Sequence, residues 1–131
     1  SEDALKIAAE NAQRNQVQIN WQKVDILSEN IDSYDIIVSN PPYICDKEKV
    51  EMDARVLEYE PHGALFVPDN DPLLFYRRIA SLKVAKNLFF EINETYGNEV
   101  CAMLEEMGYK NVTLKHDIYG KPRMVFAAID C

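Results

Sequence analysis

The feature that most constrains the fold is the segment YDIIVS, Tyr34–Ser39, which ends abruptly at Asn40-Pro41-Pro42-Tyr43. A short continuous apolar run of this kind is typical of a strand that other elements cover on both faces. The two prolines lack N–H donors and have a fixed φ, so the strand cannot continue through them. We therefore predict a buried strand whose carboxyl end carries a rigid turn with polar and aromatic groups.

Helices are predicted on both sides of this strand. Apolar residues recur at helical spacing over Ser1–Asn15, Pro72–Leu82 and Tyr96–Tyr109. Asp71 is suited to cap the second of these helices, because an acidic residue followed by proline is typical of a helix start. Each helix has one apolar stripe, which is expected to face a sheet.

Four further apolar runs predict strands. They are Ile19–Leu27, where a strand runs into a loop, Asn87–Asn93, Asn111–Ile118 and Arg123–Ile129. The turn signal YGKP between the last two predicts that they pair antiparallel. Alternation of helices and strands favours an α/β sheet with a parallel core and a C-terminal antiparallel strand pair.

The turn after Tyr34–Ser39 is expected to lie at a ligand site. Ligands of α/β sheets bind at the carboxyl ends of the strands. The following region, Asn40–Pro72, reads as a long irregular and charged segment. A segment of that length in a compact domain is usually functional.

Composition excludes several classes of protein. The chain has 131 residues and a net charge of -8, which counts against direct binding of nucleic acid because an acidic surface repels phosphate. No apolar run has the length of a membrane span. The cysteines Cys45, Cys101 and Cys131 and the histidines His62 and His116 are widely separated. Neither a metal site nor a disulfide framework is predicted, and a reducing cytoplasm is expected.

The Asn-Pro-Pro-Tyr turn has a specific chemical use. Asn40 offers a side-chain carbonyl, Pro41 offers a main-chain carbonyl on a rigid arm, and Tyr43 offers a flat ring. Two acceptors beside an aromatic ring suit a planar NH2 group whose lone pair is delocalised. The alternative is that Asn-Pro is a turn that ends a strand and nothing more.

These residues carry a family resemblance. DIIVSNPPYI resembles the signature of S-adenosylmethionine-dependent amino methyltransferases, (Asn/Asp)-Pro-Pro-(Tyr/Phe). The segment Glu60-Pro61 with Ala64-Leu65 makes the chain similar, over nearly its whole length, to the HemK/PrmC family. That family methylates the side-chain amide nitrogen of the glutamine in the Gly-Gly-Gln loop of translation release factors. The implied fold is the Rossmann-like sheet of class I S-adenosylmethionine-dependent methyltransferases.

The resemblance implies roles for the four residues of the turn. Asn40 and the carbonyl of Pro41 would accept hydrogen bonds from the glutamine amide, and Asn40 would also lie close to the cofactor. Pro42 would hold the turn, and Tyr43 would pack on the amide. These four residues are the predicted catalytic and substrate-binding residues.

The resemblance also implies cofactor contacts and leaves two glutamates open. Asp25 would accept from the adenine amino group, unless it bonds its own loop, and Ile26 would pack on the adenine ring. Glu60 would either position the substrate loop or be solvated. Glu91 would either support the site or form a salt bridge at its strand end.

Two rival functions remain at this point. The motif is shared with DNA adenine-N6 and RNA guanine-N2 methyltransferases, against which the acidic charge and the Glu60-Pro61 segment count. A rival of another class is a non-catalytic interaction domain with a degenerate methyltransferase fold. A Gly-x-Gly strand upstream in the gene would separate this rival from an enzyme.

The chain departs from the family pattern at its glycines. Its four glycines, Gly63, Gly97, Gly108 and Gly120, form no glycine-rich loop, and Val84–Asn87 lacks the family's Pro-Gly-Gly turn. We therefore expect residues 1–131 to be the C-terminal portion of a single methyltransferase catalytic domain, inactive alone. The sheet would lack its first two strands, and the cofactor site would be incomplete.

A sheet without those strands would leave an open edge. In the family order, the strand Ile19–Val24 pairs only with the second strand, and the Tyr34 strand pairs with the first on one side. The expected outcomes are direct pairing of Asn20–Val24 with Asp35–Val38, or self-association through the exposed edge. Self-association is favoured because the Tyr34 strand is apolar on both faces.

The missing glycine loop generates a prediction about cofactor affinity. We expect the 131-residue chain to bind S-adenosylmethionine weakly or not at all, because the loop and the ribose acid would make most of the polar contacts. Isothermal titration calorimetry measures this, with the complete protein as the positive control. Low-micromolar binding by the 131-residue chain would contradict the prediction.

Overall fold

The computed structural model describes residues 1–52, 54–59 and 61–129, without the side chains of residues 50, 51, 56 and 57. The described chain divides into two compact units, Ser1–Ile31 and the part from Asp32 onward. Each unit is described by itself below.

The first unit is built on helix α1, Glu2–Arg14. The Ser1 hydroxyl accepts a hydrogen bond from the Ala4 N–H at 3.2 Å and so caps the helix. Glu2 and Asp3 lie in the first turn, where the helix dipole favours negative charge. The predicted helix over Ser1–Asn15 is confirmed.

The strand predicted over Ile19–Leu27 is wrong. The backbone between Val17 and Asp25 has no strand pairing, and it ends in a turn in which the Asp25 carbonyl accepts from the N–H groups of Ser28 and Glu29. Its apolar side chains stay exposed; they are Val17, Ile19, Trp21 and Val24. A strand is stable only with hydrogen-bonded neighbours, and among the described residues none pairs with this segment. Of the two outcomes expected for the open edge, direct pairing of Asn20–Val24 with Asp35–Val38, the less favoured one, is therefore not observed.

The second unit contains a four-stranded sheet and a two-stranded one. The strands are β1 Tyr34–Ser39, β2 Ile44–Cys45, β3 Phe66–Val67, β4 Ala85–Glu91, β5 Lys110–His116 and β6 Pro122–Ala128. The large sheet has the order β1-β4-β6-β5, in which β1 and β4 are parallel and β6 is antiparallel to both neighbours. The predicted α/β class and the C-terminal antiparallel pair are confirmed.

Two helices cover one face of the large sheet. They are α4, Leu74–Leu82, and α5, Gly97–Glu106; two shorter helices, α2 Ala54–Tyr59 and α3 His62–Leu65, precede them. The α5 residues Val100 and Leu104 are fully buried, and α5 packs on β5 and β6. From α4, the Tyr76 ring meets the Phe90 ring edge-on, with centroids 5.3 Å apart. The core of this unit therefore lies between β4, β6 and these helices.

The start of α4 differs from the sequence prediction, whereas its end at Leu82 agrees with it. The helix begins after Leu73, and the Asp71 carboxylate does not cap it but accepts from the Arg77 guanidinium at 2.8 and 2.9 Å. At the other end Lys83 adopts φ +55°, the left-handed conformation that glycine usually supplies at such a position. Its Nζ donates to the Met107 carbonyl and lies 4.8 Å from the Tyr109 ring centroid. Lys83 thus ends α4 directly before Val84–Asn87, of which Ala85, Lys86 and Asn87 already belong to β4.

The region Asn40–Pro72 is more ordered than predicted. It contains β2, a 3-10 helix at Asp46–Glu51, α2, α3 and β3. The strands β2 and β3 pair in parallel, with Ile44 opposite Phe66 and Cys45 opposite Val67. Within the described residues, no helix combines the length and apolar character needed to cross a membrane.

Strand β1 is not covered as its sequence predicts. It pairs with β4 alone, and its outer edge has no strand neighbour among the described residues. On the face opposite the helices, Ile36 is 54% and Val38 is 78% exposed. Phe89 and Met124 extend this face across β4 and β6. The expected apolar open edge is therefore present, and the expectation that both faces are covered is wrong.

The open edge predicts self-association of the 131-residue chain. Unpaired backbone groups beside exposed apolar side chains recruit another strand. Light scattering at increasing concentration should show dimers or larger species, and Val38→Lys should reduce them because a charge on an edge strand opposes pairing. The matched control is Glu106→Gln on α5, which changes the net charge by the same amount away from the edge. A clean monomer at high concentration would contradict the prediction.

Candidate functional site

The predicted site residues begin where β1 ends. The last residue of β1, Ser39, stands opposite Phe90 of the parallel strand β4, so the carboxyl ends of both strands lie side by side. Asn40 follows as an exposed residue, and Pro41 is buried beneath the turn. A buried proline in a turn after a strand fixes the backbone, which leaves the Asn40 side chain accessible on a rigid support.

The Tyr43 side chain is fixed by the end of β4. Its hydroxyl donates a 2.7 Å hydrogen bond to Oε1 of Glu91, and the Arg123 guanidinium lies beside the same hydroxyl. Glu91 is half-buried and is the last residue of β4. Of the two alternatives left open for Glu91, this contact favours support of the turn, and its role in the site stays a prediction.

Asn93, two residues beyond the end of β4, holds the main chain of Tyr43. The Asn93 side-chain amide donates to the Tyr43 carbonyl at 3.1 Å. The same amide nitrogen lies 3.1 and 3.2 Å from the two carboxylate oxygens of Glu48, and Asn93 Oδ1 accepts from the Thr95 N–H at 3.0 Å. Asn93 is only 6% exposed. Sequence reasoning missed Asn93, although a polar residue directly after an apolar strand was a usable signal.

The segment after Tyr43 is attached through Glu48 and Cys45. The Cys45 N–H donates to Glu48 Oε2 at 2.6 Å, which closes the start of the 3-10 helix. The buried Cys45 thiol lies 3.7 Å from the Tyr96 hydroxyl, and burial raises the pKa of this thiol. A thiol held protonated is a poor nucleophile, so Cys45 serves packing here.

Burial dominates the electrostatics around Tyr43. Desolvation, followed by the hydrogen bond to Glu91 and the charge of that carboxylate, raises the pKa of Tyr43 to about 12. Burial likewise raises the pKa of Tyr76, whose hydroxyl donates to the Glu91 main-chain carbonyl at 3.1 Å. Both phenols are therefore neutral hydrogen-bond donors at physiological pH.

The predicted cofactor residues Asp25 and Ile26 lie in the other unit. Asp25 is exposed, its Oδ1 accepts from the Leu27 N–H at 3.0 Å, and its own N–H donates to Glu29 Oε1 at 2.8 Å. This is the loop-bonding alternative for Asp25. A carboxylate has further acceptor positions, so this contact still leaves room for an amino donor such as that of adenine. Asp25 and Ile26 belong to the first unit and Asn40 to the second.

Glu60 lies outside the described residues, and its predicted role stays a prediction. Around His62, Lys49 Nζ lies 2.8 Å from both Asp46 Oδ1 and His62 Nε2, and 4.4 Å from the Phe66 ring centroid. The hydrogen bond from Lys49 lowers the pKa of Asp46. These contacts order the start of the Pro61–Leu65 segment, which includes α3.

An apolar concavity adjoins Asn40. It has a volume of about 880 Å³ and follows the open face of the large sheet. Its lining includes Ile36, Val38, Asn40, Phe89, Glu91 and Met124. Asn40 and Glu91 contribute polar groups to this lining at the carboxyl ends of β1 and β4, and Thr113 and Lys115 contribute further polar groups from β5. The predicted site thus lies beside an apolar wall.

The Tyr43 environment predicts an alkaline titration. The pKa of Tyr43 should be about 12, and Glu91→Gln should lower it partly, because the carboxylate charge is lost while burial remains. Folding raises this pKa from the ordinary value of 10.0 to about 12. The neutral phenol therefore contributes its full stabilisation of the folded state below pH 10.0, and this stabilisation is lost as the pH rises through about 12. NMR of ring-labelled tyrosine, assigned with Tyr43→Phe, measures the titration. Glu106→Gln is the control, and an equal shift in that variant would contradict the role of Glu91.

Comparison with known proteins identifies relatives over nearly the whole chain. The family described as "Methyltransferase small domain" matches residues 1–63, which include the Asn40–Tyr43 turn. A "Release factor glutamine methyltransferase" of Bacteroides thetaiotaomicron is 47% identical over 97% of this chain and 49% of its own length. Proteins of the same name from Flavobacterium psychrophilum and Lactococcus lactis are 49% and 42% identical over 95% of this chain and 46% and 48% of theirs.

The chain spans about half the length of these curated relatives. Identity at this level over nearly all of the chain extends far beyond the short motif shared by amino methyltransferases. The resemblance drawn from the Asn-Pro-Pro-Tyr turn is confirmed: along nearly its whole length, this chain is similar to about half of proteins named release factor glutamine methyltransferase.

Proposed function

We propose that the complete protein transfers a methyl group from S-adenosylmethionine to the side-chain amide nitrogen of a glutamine in a translation release factor. The chain described here supplies the pocket for that amide. That residues 1–131 are the C-terminal portion of one catalytic domain stays a prediction. The relatives' names support the reaction, and the geometry around Tyr43 supports the location of the pocket.

One observation carries the proposal. An exposed Asn40 stands at the carboxyl end of β1, and the Tyr43 hydroxyl three residues later is fixed to Glu91 at the carboxyl end of β4. A strand-ending turn needs no such attachment of its aromatic residue. An accessible amide and a fixed ring near each other are what recognition of a planar amide requires.

The proposed chemistry is positioning of a weak nucleophile. Asn40 and the Pro41 carbonyl accept the two N–H groups of the glutamine amide, and the Tyr43 ring packs against it. These contacts orient the nitrogen and favour its pyramidal form, so that its lone pair faces the carbon to be attacked. As the new N–C bond forms, the bond between the methyl carbon and the sulfonium sulfur would break and a neutral thioether would leave. The amide nitrogen needs no strong base, because its proton can pass to solvent after the N–C bond has formed.

The cofactor would supply a methyl group bound to a positively charged sulfur. In this chain Asp25 would accept from its adenine amino group, Ile26 would pack on the adenine ring, and Asn40 would lie close to the methyl donor. Acceptors and an apolar side chain are the groups that an adenine with an exocyclic NH2 needs. The donor set thus fits the cofactor.

The proposed substrate is the Gly-Gly-Gln loop of a release factor in the cytoplasm. The net charge of -8 disfavours a nucleic-acid substrate. Methylation of adenine-N6 or guanine-N2 is therefore the rival to the proposed reaction. A reducing compartment is proposed because the cysteines are few and widely separated in the sequence. Glu60 would position the substrate loop.

The proposal predicts the effect of removing the Asn40 amide. In the complete protein, Asn40→Ala should reduce methylation of a release factor by a hundredfold or more, because one lost transition-state hydrogen bond costs about 3 kcal/mol. Mass spectrometry of the Gly-Gly-Gln peptide measures the product. The matched control is Asn98→Ala, since Asn98 is exposed and lies on α5, which does not carry the turn.

Tyr43→Phe should be milder than Asn40→Ala because the ring is retained. Wild-type turnover by Asn40→Ala would show that the motif is no more than a turn. A release factor whose glutamine is replaced by asparagine tests the acceptor, and adenine and guanine oligonucleotides test the rival substrates. Methylation of an oligonucleotide but not of the release factor would overturn the proposed substrate.

A further inference from the structure

We propose that Glu91 and Asn93 are positioning residues that fix Tyr43 from both ends and thereby set the shape of the amide pocket. The inference rests on the proposed function. Glu91 accepts from the Tyr43 hydroxyl at 2.7 Å, and Asn93 donates to the Tyr43 carbonyl at 3.1 Å. The two residues are named below as the Tyr43 clamp.

The clamp acts on opposite ends of the tyrosine. The hydroxyl contact restricts rotation of the ring about its side-chain bonds. The carbonyl contact restricts the main chain directly after Pro42, where the turn would otherwise be free to shift. Both contacts come from one short segment at the end of β4, so the ring and the turn are attached to the same rigid strand.

Asn93 is itself held in a single orientation. It is 6% exposed, its amide nitrogen is shared between the Tyr43 carbonyl and the Glu48 carboxylate, and its carbonyl oxygen accepts from the Thr95 N–H. These contacts distinguish its oxygen from its nitrogen. Among the described residues, every buried side-chain nitrogen or oxygen has a hydrogen-bond partner. A fully satisfied buried network of this kind is rigid.

Glu91 is held by the core. Tyr76, which is 1% exposed, donates through its hydroxyl to the Glu91 main-chain carbonyl at 3.1 Å. The next residue, Ile92, is fully buried, and its N–H donates to the Arg123 carbonyl at 2.9 Å. The Glu91 backbone therefore cannot follow a moving Tyr43, and the carboxylate acts as a fixed acceptor.

The clamp reaches the proposed reaction through Tyr43. Glu91 also lines the concavity beside Asn40, so its carboxylate is near the pocket without being required as a base. The proposed mechanism has no step that consumes a carboxylate. If Glu91 acts by holding the ring, its contribution requires the Tyr43 hydroxyl. A Glu91 that contacted the substrate directly would contribute whether or not the hydroxyl is present.

A double-mutant cycle on the complete protein separates these roles. We expect Glu91→Leu to lower kcat/KM for the release factor by about tenfold or more, because small errors in positioning are costly in rate. Glu91→Gln keeps an acceptor at the same place and should retain clearly more activity than Glu91→Leu. In the Tyr43→Phe background, Glu91→Leu should add about twofold or less, since the hydroxyl is already gone.

Asn93→Ala tests the other end of the clamp. It leaves the Tyr43 carbonyl and Glu48 with one partner fewer, so its unfolding free energy is measured beside its kinetics. We expect kcat/KM per folded molecule to fall about tenfold, with Asn98→Ala as the unaffected control. If Asn93→Ala does not fold, the Glu91 cycle still decides the inference.

A readout independent of activity distinguishes this inference from the proposed function. The NMR signals of the Tyr43 ring should broaden or shift in Glu91→Leu and Asn93→Ala, and not in Asn98→Ala. If the wild-type protein does not methylate release factors, the proposed function is wrong. If the Tyr43 ring signals are unchanged in Glu91→Leu and Asn93→Ala, the clamp is wrong, whatever the activity. An undiminished Glu91→Leu effect in the Tyr43→Phe background would also overturn it.

Discussion

The parallel pairing of β1 with β4 is the constraint on which the site depends. Because both strands run in the same direction, they end side by side at the same end of the sheet, with Ser39 opposite Phe90. Asn40 then follows one strand, and Glu91 completes the other. An antiparallel arrangement would have placed these residues at opposite edges. The buried side of β4, with Leu88 and Phe90 fully enclosed, keeps the shared edge in place.

Local residue patterns were sufficient for most of the fold. Helices α1 and α5 and strands β4 to β6 lie where apolar spacing, Gly108 and the Tyr119–Pro122 turn predict them, because each of these signals acts within its own segment. The Ile19–Leu27 prediction failed for a different reason. A strand depends on a partner strand elsewhere in the chain, and the pattern of apolar residues within a segment does not show whether such a partner exists.

The composition of the site was predictable to a smaller extent. Asn40 and Tyr43 were identifiable because a polar and an aromatic residue flank two prolines at a strand end. The partners of Tyr43 were not identifiable, since Glu91 and Asn93 lie about fifty residues away and are joined to it only by the sheet. Lys83 gives a similar lesson: it adopts a left-handed backbone that the local preference of lysine does not predict, and its side chain contacts Tyr109 and the Met107 carbonyl, which are distant in sequence.

The large sheet of the second unit therefore has one enclosed face and one exposed face. Toward α4 and α5, apolar side chains are enclosed and the polar groups of Tyr76, Asn93 and Tyr109 are all hydrogen-bonded. Toward the concavity, Ile36 and Val38 remain exposed beside an unpaired strand edge. The Tyr43 clamp stands at the boundary, anchored to the enclosed side while the Asn40 side chain faces solvent. A pocket for a weakly nucleophilic amide needs this combination, because the acceptors must be rigid and the substrate must still be able to enter.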